Sequence, residues 1–243
     1  MINPRKKLDL EEVYNYILAN HLTMVTPERY VSIDKIARIV EEENIEGDIV
    51  ECGCWRGGMS IYMAYSFPDR PLWACDSFAG FEPIEKRRRL GAKIDIHHSM
   101  GLTEVWAPGN TTKKVSLSAP YDNVVDSFKA IGLSENTGVT LVKGYVQDSL
   151  YTEEIQDIKK IALLRIDVDA YSATYDVLEA LYDKVVPGGY VVFDDSAIPC
   201  TREAIEDFST AQGIDIPQKL LSPNLEPAQF PFHDAGQIYK KGT

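Results

Sequence analysis

The sequence predicts an α/β fold built on a doubly wound, mostly parallel sheet, and three observations carry that prediction. Short apolar runs alternate with stretches of helical periodicity along most of the chain, and the strand-like runs finish in glycine or aspartate. No apolar run approaches the roughly 18 to 20 residues that cross a bilayer. The length of 243 residues suits a single domain spanning 1–243, because α/β folds of this size often remain undivided.

Residues Leu8 to Asn20 and Ser32 to Asn44 carry apolar side chains at helical spacing, with Ser32 as the expected N-cap of the second. Residues 1–46 thus read as a helical cap ahead of the first strand. Gly47 breaks the pattern, and Asp48 to Gly53 reads as a buried strand feeding a glycine-rich turn and a helix from Met59 to Ser66. Leu72 to Asp76 is the second strand and Val139 to Val142 the third, followed by Gly144. The stretch 78–123 between them has little periodicity and is too long for an ordinary connection, which marks it as a lid or substrate insertion.

Ile161 to Asp167 reads as strand four, Ser172 to Asp183 as a helix, and Pro187-Gly188-Gly189 as a turn. Tyr190 to Phe193 is strand five, ending in Asp194-Asp195. A helix near Thr201 to Ser209 and two candidate strands, Lys219 to Ser222 and Gln237 to Lys240, complete the chain. In such a sheet ligands bind beyond the carboxyl ends of the strands. Gly53, Asp76, Gly144, Asp167, Asp194 and Asp195 are therefore expected to converge.

Composition narrows the partners. Twenty-five Lys and Arg against 37 Asp and Glu give 25 − 37 = −12, a sign that repels nucleic acid and anionic membrane surfaces and leaves a small molecule as the expected substrate. The first twenty residues mix charges into what would have to be a signal segment, so the expected compartment is the cytoplasm. Cys52, Cys54, Cys75 and Cys200 are unevenly spaced and read as buried apolar side chains.

The glycines after strand one fall at Gly53, Gly57 and Gly58. A dinucleotide turn needs G-x-G-x-x-G, and Trp55 occupies the place of its second glycine, where a pyrophosphate would have to pass. Glu51 is unwelcome beside phosphates and welcome beside the ammonium of a methionine moiety. Asp76, ending strand two, can accept hydrogen bonds from ribose hydroxyls, which indicates adenosine without choosing the cofactor.

Asp167 and Asp169 leave strand four on the same side of an extended segment, and Asp194-Asp195 leaves strand five. Three of these four carboxylates can close on one hard cation, and oxygen ligands suit magnesium better than zinc. Asp169 is the candidate general base, with His98 as the alternative and His97 and His233 in segments able to fold over the site. Within the insertion, Phe78, Phe81, Trp106 and Tyr121 offer stacking for a sugar ring, and Lys86-Arg87-Arg88-Arg89 offers cations for a diphosphate or simply a solvated face.

The segments Gly47 to Gly58, Asp76-Ser77-Phe78-Ala79-Gly80, Val142-Lys143-Gly144-Tyr145 and Gly188 to Asp195 together resemble the macrocin O-methyltransferase (TylF-like) family, in order from about Thr23 to Asp195. The resemblance implies a class I methyltransferase (Rossmann-like) fold with an antiparallel last strand, S-adenosylmethionine as donor, a magnesium ion, and a sugar hydroxyl on a nucleotide sugar or glycosylated metabolite as acceptor. Carried over by position, Glu51 and Gly53 lie against the methionine part, and Trp55, Arg56 and Gly57 of the same turn join the cofactor-binding set. Asp76 and Ser77 lie against the ribose, and Gly144, Tyr145 and Gln147 beside the adenine. Asp167, Asp194 and Asp195 become the metal ligands, Asp167 also bordering the cofactor.

Three other readings use the same residues. A catechol-type O-methyltransferase would apply the metal chemistry to an aromatic diol. A nucleotide-binding oxidoreductase is opposed by Trp55. A non-catalytic subunit on a methyltransferase fold is opposed by the retention of all four acidic positions. The N-terminal helices offer a surface either for capping the site or for pairing in a homo-oligomer.

Overall fold

The computed structural model describes residues 5, 7–83, 89, 91, 102–107, 111–222, 224–226 and 236–242, with backbone alone at 102–107, 111–116 and 218. Six strands form one sheet: β1 (Asp48–Cys52), β2 (Leu72–Asp76), β5 (Val139–Lys143), β6 (Ile161–Ile166), β7 (Val185–Phe193) and β8 (Gln237–Lys240), in the order β5-β2-β1-β6-β7-β8. All neighbours are parallel except β7 and β8, which pair antiparallel. The chain starts in the middle of the sheet and builds outwards to both sides. That order creates a crevice between β1 and β6, where the two halves diverge.

The strands are buried on both faces and alternate accordingly. Ile49, Ala74, Tyr190 and Val192 join a core with α1 (Leu10–Ala19), α2 (Pro27–Glu42), α3 (Gly58–Ser66) and α4 (Tyr121–Ala130). Val50, Cys75, Val191 and Phe193 join the opposite core with α7 (Tyr171–Leu181) and α8 (Pro199–Gln212), along with the short helices α5 (Val146–Ser149) and α6 (Glu153–Gln156). The four cysteines are buried, and none forms a disulfide. No helix among the described residues is long and apolar enough to cross a membrane.

Several elements depart from the sequence expectation for identifiable reasons. The second helix starts at Pro27, five residues before Ser32, because the fixed φ of proline suits the first helical position. Ser32 lies inside it and donates its hydroxyl back to Glu28 O at 3.0 Å. The stretch 78–123 is not featureless. It carries an antiparallel hairpin, β3 (Leu102–Ala107) and β4 (Thr111–Ser116), and the start of α4.

Pro187-Gly188-Gly189 does not turn the chain but runs inside β7. The pairing with β6 jumps from Ile161↔Val185 to Leu163↔Tyr190, so the extra β7 residues are taken up as an irregularity. Near the end, residues 217–219 form a 3-10 turn, and of the expected strand at Lys219 to Ser222 only an isolated bridge from Leu221 to Ile238 forms.

Candidate active site

The carboxyl ends of β1, β2, β6 and β7 open into one cleft with two compartments, of about 790 and 740 Å³ including space open to solvent. Met24, Gly53, Trp55, Leu117, Asp167 and Asp169 border both. Gly53 sits at φ +89, and a Cβ there would lie 1.7 Å from the carbonyl oxygen of Asp167, so only glycine fits between β1 and β6. Three non-glycine residues around the cleft also hold left-handed backbone: Trp55 at φ 48, Phe78 at φ 55 and Asp169 at φ 56.

The first compartment is lined by Asp76, Ser77, Phe81, Glu82, Tyr145 and Gln147 among others. Asp76 accepts from the backbone N–H groups of Trp55 at 2.8 Å and Phe78 at 2.7 Å, tying the β1 turn to the β2 turn. A carboxylate offers about four lone-pair sites, so these donors leave room for a ligand hydroxyl. Burial pushes the pKa of Asp76 up to about 6, against those backbone donors. Ser77 donates its hydroxyl to Gly80 O at 2.6 Å, and Gln147 donates from Nε2 to Glu82 Oε1.

Three residues of the expected cofactor set border neither compartment. Arg56 stacks 4.3 Å over the Trp55 ring and donates to His21 O. Gly57 precedes α3, and a Cβ there would strike the Phe128 ring at 2.2 Å, so it serves helix packing. Gly144 immediately precedes the lining residues Tyr145 to Gln147 and itself packs against Ser149, where a Cβ would meet the serine Cβ at 3.0 Å.

The second compartment holds the acidic cluster. Arg165 is its centre: Nη1 pairs with Glu51 Oε1 at 2.5 Å and Asp167 Oδ2 at 2.8 Å, and Nη2 with Asp194 Oδ1. Arg29 pairs with the other Asp194 oxygen, Oδ2. Glu51 also accepts from the Ser60 hydroxyl. Burial pushes Glu51 up to about 7 against the pull of Arg165 and Ser60. Burial also works against the Arg165 charge, but Asp167 and Glu51 outweigh it and raise its pKa.

Oxygen atoms of Asp167, Asp194 and Asp195 lie within 4.8 Å of one another. Asp195 Oδ2 is hidden from solvent and has no hydrogen-bond partner among the described residues, a costly arrangement for a buried carboxylate oxygen. Burial, then Asp169 and Asp167, push the Asp195 pKa well above the usual carboxylate range. Oxygen-only donors at this spacing fit a hard divalent cation. Asp169 follows two residues beyond Asp167 and borders both compartments.

From the basic run in the insertion, Arg89 turns to α7, pairing with Asp176 and Glu179 at 2.6 Å each and stacking 4.2 Å over Tyr175. His97, His98, His233, Lys86, Arg87 and Arg88 lie outside the described residues, as does the Trp106 side chain.

Two residues that shape the cluster were not singled out from sequence, Arg29 and Arg165. Arg165 carries a signal: a guanidinium inside the apolar run Ile161–Ile166 demands buried partners. Arg29 carries none, because its partner Asp194 is 165 positions away, and the neighbouring residues Leu22 to Val25 that line the same compartment are equally silent.

Comparison with known proteins identifies the family and the fold. The profile of the family described as Macrocin-O-methyltransferase (TylF) matches residues 17–222. Mycinamicin III 3''-O-methyltransferase of Micromonospora griseorubida is 30% identical over 198 residues, covering 79% of this chain and 72% of its own. The 8-demethyl-8-(2,3-dimethoxy-alpha-L-rhamnosyl)-tetracenomycin-C 4'-O-methyltransferase of Streptomyces olivaceus is 30% identical over 201 residues, 80% of this chain and 70% of its own. The solved structure of the O-methyltransferase NovP superposes with a TM-score of 0.69 at 26% identity, covering 91% of this chain and 83% of that one. The chain belongs to the macrocin O-methyltransferase (TylF) family and is an S-adenosylmethionine-dependent O-methyltransferase of the class I fold.

Proposed function

We propose that the enzyme methylates a hydroxyl of a sugar, carried on a nucleotide or a glycosylated metabolite, with magnesium held by Asp167, Asp194 and Asp195. The acidic cluster of the second compartment carries this reading: ligand oxygens of Asp167, Asp194 and Asp195 lie within 4.8 Å of one another, a donor set that suits a hard divalent cation. The sugar acceptor is supported by the name of one relative, which specifies a rhamnosyl group on its substrate.

In this reading Asp76 and Ser77 face the ribose, and Tyr145 and Gln147 the adenine. Gly53 lets the methionine part approach the β1 backbone. Glu51 is fully buried and contributes through its field and through Arg165. When bound, the cation would supply Lewis-acid polarisation of the acceptor hydroxyl and the cofactor the methyl group. Asp169 takes the hydroxyl proton on its carboxylate, and Phe81, Glu82 and Leu117 of the insertion, which border the cleft, help to enclose the acceptor and exclude water.

The test is a panel of nucleotide sugars and glycosides incubated with labelled S-adenosylmethionine, with EDTA or with magnesium. Transfer that EDTA abolishes and magnesium restores is the expected result, with Asp169→Asn lowering kcat by roughly 10²-fold or more. Undiminished transfer in EDTA would remove magnesium from the reading. Turnover of simple catechols but of no sugar would remove the acceptor class.

A further inference from the structure

The geometry points to Arg29 as a built-in stand-in for part of the metal charge, a positioning residue that holds Asp194 in the metal-free protein and gives way when a cation binds. This rests on the metal reading above. Both oxygens of Asp194 are taken by guanidiniums, Oδ1 by Arg165 and Oδ2 by Arg29. Asp195 Oδ2, in the same cluster, has no hydrogen-bond partner among the described residues. One carboxylate therefore has both oxygens paired and its neighbour has one oxygen unpaired, and a cation reaches the second while sharing the first.

The two arginines are not equivalent. Arg165 comes from the middle of the sheet, with a side chain only 2% exposed, and is bound on three sides by Glu51, Asp167 and Asp194. Arg29 comes from the edge of the cleft with its side chain 16% exposed. It sits in the first turn of α2, two residues after Pro27. A cation there opposes the helix dipole, so local helix energetics do not account for it. Its stem runs alongside Gly236, with Nε 3.6 Å from where a Cβ on that glycine would stand. Arg29 is the arginine that can withdraw.

A positive charge this close to a divalent cation repels it, and the Asp194 oxygen it occupies is lost to coordination. Removing Arg29 should therefore tighten metal binding, the opposite of what removing an ordinary structural residue does. Calorimetry of Mn²⁺ binding to the full, EDTA-treated chain tests this without any turnover. Arg29→Met is expected to bind Mn²⁺ at least about tenfold more tightly than wild type, and Arg29→Lys close to wild type.

Metal-free Arg29→Met should also melt below wild type yet gain more from Mn²⁺, whereas a purely structural role lowers the first without enlarging the second. With Asp194→Asn in the background, the gain from Arg29→Met should shrink severalfold. Arg29→Gln gives the same comparison should the Met variant not fold. Equal or weaker Mn²⁺ binding by a natively folded Arg29→Met or Arg29→Gln overturns the role of Arg29 and leaves the metal site standing. Absence of Mn²⁺ binding by wild type overturns the metal reading, and this one with it.

Discussion

Glu51 and Arg165 stand directly opposite each other in the β1–β6 register and are ion-paired at 2.5 Å, both buried beneath the cleft. Central parallel strands are usually apolar throughout. Here a charged pair replaces packing at the point where the sheet meets the site, and the same guanidinium reaches Asp167 and Asp194. The pair joins the stability of the sheet to the placement of the acidic cluster.

Arg165→Met should therefore destabilise the protein by about 3–5 kcal/mol, since it leaves Glu51 and Asp194 buried without their shared counter-charge. Urea denaturation in EDTA measures this. A loss under about 1 kcal/mol would mean that the pair is replaceable and that Arg165 does not organise the cluster.

The pH dependence has a definite sign. Glu51 is pushed up to about 7 from its ordinary 4.5, so its protonated form is favoured in the folded state. That contribution is complete below about pH 4.5 and is lost as pH rises through about 7. Asp76, raised to about 6, acts in the same direction. The stability of wild type relative to Glu51→Gln, measured in EDTA, should fall between pH 4.5 and 7. A flat or rising difference would show that Arg165 keeps Glu51 ionised across this range.

Gly53→Ala places a methyl 1.7 Å from the Asp167 carbonyl oxygen at φ +89. Relief requires β1 and β6 to part at their carboxyl ends, where the cleft begins. A loss of at least about 2 kcal/mol is expected, together with loss of S-adenosylhomocysteine binding by calorimetry. Wild-type affinity in the variant would show that the cofactor does not lie over this turn.

Arg89 anchors the insertion to α7 through Asp176, which is fully buried, and through Glu179 and Tyr175. Gly91 beside it fits closely over Tyr171, where a Cβ would approach the ring to 2.6 Å. Arg89→Ala should raise the acceptor KM roughly three- to fivefold and leave the affinity for S-adenosylhomocysteine unchanged. Equal effects on both ligands would indicate general loosening of α7 rather than release of the insertion.

The acidic strand ends were legible in the sequence because each lies next to the apolar run that positions it: Asp76 after Leu72–Cys75, Asp167 after Ile161–Ile166, Asp194 after β7. Parallel topology then brings them to one edge. Helix α4 was hidden because Asp, Asn, Ser and paired Val make Tyr121–Ala130 a weak helix former, and only Val124 and Phe128 are buried. The extent of β7 was hidden because Pro187-Gly188-Gly189 is a strong turn signal locally, and only tertiary pairing with β6 and β8 overrides it. The contact of Arg29 with Asp194 depends on where a helix end lands in space, which periodicity does not encode.

Trp55, Phe78 and Asp169 each keep a backbone conformation that side chains with a Cβ avoid, at a cost of about 1–3 kcal/mol apiece. That cost falls on folding and is carried by the sheet and its two cores. The binding surface is thereby preorganised: a ligand meets loops already fixed and gives up little conformational entropy on arrival. The same fixity means that a stabilising Gly substitution at these three positions would trade folding free energy against affinity, and engineering for heat resistance would do better on the far side of the sheet.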